Sequence, residues 1–143
     1  MLRKIIALSL LLGFLYVRAH SQYAKGVTVE TLLKTDVTSI GQPIIYPKVT
    51  RSEVSMTKIT IAPGATTGWH KHQIPLFAYV IQGILTIMLE NGDEKQFPAG
   101  SATAEVVNVY HQGINKGKEP VILLVCYLGG DAIPLSEGQQ KKH

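Results

Sequence analysis

Cysteine is all but missing from this chain: Cys126 is the only one in 143 residues, so no intrachain disulfide can form. Structural zinc sites of the usual thiolate kind are excluded with it. Cys126 falls in the apolar run 121–128, where a thiol is expected to be buried and inert. Charge is also sparse, at 17% of residues against 45% hydrophobic, the balance of a globular protein rather than a disordered one. Arg3, Lys4 and Arg18 supply three of the four net positive charges, and no acid stands among the first 21 residues. The remainder is nearly neutral and carries no basic stripe for nucleic acid. Gly-rich phosphate loops are absent, since Gly129-Gly130-Asp131 opens no helix. No G-x-S-x-G elbow occurs either. The longest apolar run, residues 5–17, has thirteen members and ends at Arg18. A bilayer needs about 20, so no stable membrane span is expected.

That run has a different meaning. A basic start, thirteen apolar residues and the small-x-small Ala19-His20-Ser21 together read as a secretory leader over 1–21, cut before Gln22. Export to a periplasm or to the outside is expected. One domain suits the length. An N-terminal arm over 22–48 precedes a body over 49–135, and a polar tail over 136–143 is expected to be loose. Within the arm, 27–33 is strand-like, whereas Pro43 and Pro47 make 41–47 an edge or extended piece. Such an arm suits a position across a neighbouring subunit.

From residue 49 on, short strand signals follow one another closely. They fall at 54–62, 69–72, 77–82, 84–90, 95–98, 101–107, 109–114 and 121–128. Pro63-Gly64, Gly83, Asn91-Gly92-Asp93 and Ala99-Gly100 punctuate them. Sustained helical periodicity is absent outside the leader. The pattern predicts an all-β barrel or sandwich.

Chemistry concentrates in two stretches. Residues two apart on a strand share a face, so His70 and His72 in Gly68-Trp69-His70-Lys71-His72 aim together and Lys71 points away. His111 is the only other histidine between His20, in the leader, and the terminal His143. Three imidazoles from neighbouring strands form a metal-binding face. Imidazole suits several divalent transition metals, so Fe, Zn, Ni, Cu or Mn all remain open. Glu105 is the one acid near His111 and is a candidate ligand, orienting partner or general base. The alternative is a solvated strand residue. Tyr79, Gln82, Tyr110 and Asn115 are candidates for the pocket. For the aromatic residues core packing is the competing role, and for Asn115 a loop-fixing one.

These residues resemble the cupin superfamily. Gly64, His70-x-His72 and Gly83 are similar to its first motif; Gly92, Pro98-Ala99-Gly100 and His111-x3-Asn115 are similar to parts of its second. The resemblance covers about 54–128 and implies a double-stranded β-helix, or jelly roll, with a metal in the barrel mouth. It also implies pairing through edge strands into a homodimer. In one respect the chain departs from the family. The pattern places a Glu with three or four residues between it and the second His, where this sequence has Leu76 and Phe77. Three neutral imidazoles would leave the ion its full +2 charge and open positions for ligand or dioxygen. Some members of the superfamily resemble this case and are oxygenases with three His ligands. The expected activity is a dioxygenase-type oxidoreductase acting on a small carbonyl or enol compound. The alternatives are a non-catalytic barrel that captures a small ligand or metal, and a metal-dependent isomerase or lyase.

Overall fold

A computed structural model describes residues 24–140; the leader expected over 1–21 lies outside them. Residues 24–30 form no strand, and the strand-like 27–33 has no sheet partner among the described residues. From Thr31 on, every element among the described residues is a strand. In chain order they are β1 (Ser52–Ile61), β2 (His70–Lys71), β3 (Leu76–Gln82), β4 (Ile84–Leu89), β5 (Glu94–Pro98), β6 (Ala102–Ala104), β7 (His111–Ile114), β8 (Val121–Gly130) and β9 (Glu137–Gly138). Two antiparallel sheets result, ordered β1-β8-β3-β6 and β5-β4-β7-β2-β9, a jelly roll. No helix among the described residues is long and apolar enough to cross a membrane.

Alternation explains the inner faces. Leu76, Ala78 and Val80 of β3 meet Val121, Leu123, Val125 and Tyr127 of β8, with Leu85 and Ile87 of β4 from the other sheet. Burying a side chain of this size contributes about 1.5–3 kcal/mol, so this cluster dominates the fold. Both faces of β3 and β8 are apolar, however. Phe77, Tyr79 and Cys126 lie half-buried on the outer side, so Cys126 is not the fully buried thiol expected.

The chain passes from one sheet to the other at Gly83. Its φ is +79°, and a Cβ there would stand 2.9 Å from the Pro120 carbonyl oxygen. Only glycine fits. Between β4 and β5, Asn91-Gly92 closes the expected hairpin, with Gly92 N–H donating to Leu89 O at 2.9 Å.

Two segments outside the expected body are ordered against it. In the arm, Thr38 and Gln42 close a turn whose Ser39 N–H donates to Ala104 O at 2.8 Å. This part of the arm therefore lies on its own subunit. The tail, expected to be loose, contributes β9, which pairs with β2 through His70↔Gly138 and Lys71↔Glu137. Its hydrogen bonds are made by the main chain, which polar side chains do not prevent.

Candidate metal centre

β2 has only two residues, and its place between β7 and β9 decides the site. His70 stands directly opposite His111 on β7. One step past the end of β2, His72 turns to the same side, and the chain is held there by Asn108 N–H donating to His72 O at 2.7 Å. The ring centroids lie 4.9 Å (His70–His72), 4.6 Å (His70–His111) and 5.2 Å (His72–His111) apart. One nitrogen from each ring falls within 4.8 Å of the others. The structure thus brings together the three His that the sequence pairs with a metal.

Each ring is held the same way. His70 Nδ1 donates to Gly68 O at 2.8 Å, His72 Nδ1 to Leu135 O at 2.6 Å and His111 Nδ1 to Val109 O at 2.8 Å. A carbonyl oxygen only accepts, so Nδ1 carries the proton and Nε2 of the neutral ring keeps a lone pair. Such a partner on the far nitrogen is the usual support of a metal-bound imidazole. His111 Nε2 is buried and has no hydrogen-bond partner. Its nearest charged neighbour is the Glu105 carboxylate, 3.4 Å away; a proton on Nε2 answers that charge in the metal-free ring, and a metal ion would take the proton's place. On this observation the residues fit a divalent transition metal.

Glu105 reaches the same place from a different strand than the family pattern suggests. It follows β6, and its N–H donates to the carbonyl of Leu76, the very position where a ligand carboxylate was expected and is missing. Glu105 Oε2 lies 3.5 Å from His72 Nε2 and 3.4 Å from His111 Nε2. Burial pushes its carboxyl upward, but the imidazoles of His111 and His72 outweigh it and lower the pKa to about 2. Burial likewise pushes His111 down, and the adjoining carboxylate with the Val109 carbonyl more than reverses that, leaving it raised. For His70, burial prevails and the pKa is lowered.

A cavity of about 30 Å³ opens beside the rings, lined by His70, His111 and Glu105 with apolar Ile59, Leu85, Leu123 and Val125. Tyr127 also lines it, edge-on to His72 with centroids 5.7 Å apart. Its pKa is raised by burial and by the charge of Glu105. Nothing in the pattern singles out Tyr127, because in the unbroken apolar run 121–128 alternation has no contrast. Its odd-number parity with Val121, Leu123 and Val125 is the signal that could have found it.

The other pocket candidates lie elsewhere. Tyr79 is on the outer face of β3, since the inner face is taken by Leu76, Ala78 and Val80. Gln82 is exposed at the end of β3, just past an irregularity in its pairing with β8. Tyr110 lies under Lys71, whose Nζ is 5.4 Å from the ring centroid. Asn115 is buried but committed to its loop: Nδ2 donates to Ile61 O at 2.9 Å and Glu119 O at 2.8 Å, and Oδ1 accepts from Gly117 N–H.

Residues 57–127 match the family model described as the cupin domain. The chain carries a cupin domain. No curated protein matches the sequence, but solved structures share the cupin fold at low identity. A chain from crystal structures of the DMSP lyases RdDddP and RnDddQII is 22% identical, with a TM-score of 0.52, over 61% of this cupin and 44% of that chain. Oxalate decarboxylase from Lactobacillus farciminis, as a formate complex, is 23% identical with a TM-score of 0.51 over 59% and 26%. The DMSP lyase DddQ from Ruegeria pomeroyi DSS-3 is 14% identical with a TM-score of 0.51 over 59% and 42%. This cupin therefore spans less than half the length of each of the three.

Proposed function

We propose that this cupin is an exported, metal-dependent enzyme acting on a small molecule, with one divalent transition metal held by His70, His72 and His111. The observation that carries this is the common tethering of three Nδ1–H groups to main-chain carbonyls, which turns three Nε2 lone pairs toward one point. A bound ion would supply Lewis acidity and, if iron, manganese or copper, a redox centre for a dioxygenase-type oxidation. The protein supplies the rest. Glu105 stays ionised throughout the physiological range and serves as a fourth, oxygen ligand or as the acceptor of a substrate proton. Ile59, Leu85, Leu123 and Val125 keep water from the cavity, whose volume restricts the ligand to a few heavy atoms.

The same carboxylate favours a second reading. A base beside a Lewis acid suits an isomerase or lyase that moves a proton without redox chemistry. Elemental analysis of untagged protein, purified without added metal, separates the two. One equivalent of iron, with oxygen uptake on small diketones or phenols, supports the oxidoreductase. Zinc or nickel with proton exchange on an enolisable substrate supports the second. Bound metal without turnover leaves a capture protein. His72→Ala is expected to lose stoichiometric metal and keep the barrel folded; a variant that retains the full equivalent would remove the site. For export, intact mass of the mature chain is expected to place its first residue at Gln22.

A further inference from the structure

Glu105 stands just outside regular structure, for β6 ends at Ala104 and β7 begins at His111. A carboxylate that must meet two imidazoles needs its main chain fixed within a fraction of an ångström. A strand of three residues gives little of that. The N-terminal arm supplies it on both sides of Glu105. Before it, Ser39 N–H donates to Ala104 O at 2.8 Å. After it, the side chain of Gln42 closes a two-way bond with one residue: Nε2 donates to Val107 O at 3.1 Å, and Oε1 accepts from Val107 N–H at 3.1 Å.

The amide of Gln42 behaves as a rung of a sheet, offering the donor and acceptor that a neighbouring strand would offer. It is itself fixed. Its Oε1 also accepts from Thr38 Oγ1 at 3.3 Å, and its N–H donates to the same hydroxyl at 3.2 Å. The turn is closed by Thr38 N–H donating to Gln42 O at 2.8 Å and Gly41 N–H to Thr38 O at 2.9 Å, with Thr38 buried. No apolar contact would specify the direction of this loop so narrowly, because hydrogen bonds are directional and burial is not.

We infer that Gln42 is a positioning residue of the metal centre, acting through the main chain of Val107 to hold Glu105 against His72 and His111. The inference rests on the reading of those imidazoles as metal ligands. It also gives the arm a task in the site, although Gln42 lies 65 residues from Val107 in sequence.

A double-mutant cycle with cobalt(II) as the probe tests it on the full mature chain. Gln42→Met keeps the length of the side chain and removes both bonds. Cobalt binding is expected to weaken about ten-fold, the scale of an outer partner. In a Glu105→Gln background the same replacement is expected to change affinity less than about two-fold, the limit of independent effects. The visible spectrum of the cobalt-loaded Gln42→Met protein is expected to move toward that of Glu105→Gln. Thermal stability should fall by the same amount in both backgrounds. Equal weakening of cobalt binding in the two backgrounds, or unchanged affinity with a wild-type spectrum, would overturn the inference. A wild-type protein that takes up no cobalt overturns the metal reading and this one with it. Should Gln42→Met not fold, Gln42→Glu, which keeps the acceptor for Val107 N–H, carries the same comparison.

Discussion

Glu105 and His111 depart from their ordinary pKa values in opposite directions, and the signs fix how the metal-free protein responds to pH. The carboxyl is lowered from 4.5 to about 2. Its contribution to stability is complete above 4.5 and is lost as pH falls toward 2. The imidazole is raised from 6.5, so its contribution is complete below 6.5 and is lost as pH rises through the folded value. Their pairing is therefore strongest between about 4.5 and 6.5. Urea titrations in chelator should find Glu105→Gln less stable than the wild type near pH 6, by up to about 3 kcal/mol. The gap should close by pH 2; one that persists there would contradict the pairing. Loaded protein has a simpler dependence, since protons compete for Nε2 and falling pH releases the ion. At this scale the sequence showed much. H-x-H on a strand states its own geometry, and two other His could be set aside by position. The role of Glu105 was not decidable, because its direction is set by the arm and by Leu76 rather than by alternation. For Tyr79, a pocket candidate, alternation did not tell the inner side from the outer, because β3 is apolar on both faces.

Among the elements, β9 buries neither of its residues fully and yet has a direct hold on the site. It pairs with both residues of β2, Gln139 N–H donates to Trp69 O at 2.9 Å, and Glu137 engages Gln73 and, at 3.6 Å, Lys71. Just before it, the Leu135 carbonyl receives the Nδ1 proton of His72. Segments so exposed open locally at little cost. A chain ending at Pro134 keeps every fully buried core residue and loses only the partly buried Leu135 packed against them, so its melting temperature should fall only slightly. Its metal affinity should drop about 10- to 100-fold, as with other lost outer partners. Isothermal titration checks both ligand stoichiometry and affinity; an unaltered affinity would show that His72 is oriented without the tail. Strand periodicity reveals β1, β3, β4 and β8 because each buries a side-chain face. It misses β9, whose partners are peptide groups and whose Ser136-Glu137-Gly138-Gln139 has no apolar member.

For the molecule as a whole, the outer side of the β1-β8-β3-β6 sheet departs from the rule that an exposed antiparallel face is polar. Val54 is 62% exposed, Met56 63% and Ile81 48%, and Phe77, Tyr79 and Leu124 continue the patch. A groove of about 290 Å³ crosses it, bordered by Leu32 and Leu33 of the arm. Contiguous apolar surface of this kind marks an interface, and we propose that a second copy covers it. Sedimentation should then find a homodimer in the wild type and a folded monomer in Met56→Lys/Leu124→Lys. A wild-type monomer at micromolar concentration would refute the pairing.

The acceptors that orient the three imidazoles are all peptide oxygens. Point substitution at Val109 or Leu135 changes what hangs from the chain and leaves the oxygen where it was. At these two positions the tautomers are thus buffered against single-codon drift, whereas the acceptor for His70 belongs to Gly68, whose φ of +74° favours glycine. Insertions and deletions are the changes that reach them, by shifting the backbone between His72 and Leu135 out of register. In a mutational scan, the orientation of His72 and His111 would respond to loop length more than to the side chains at Leu135 and Val109.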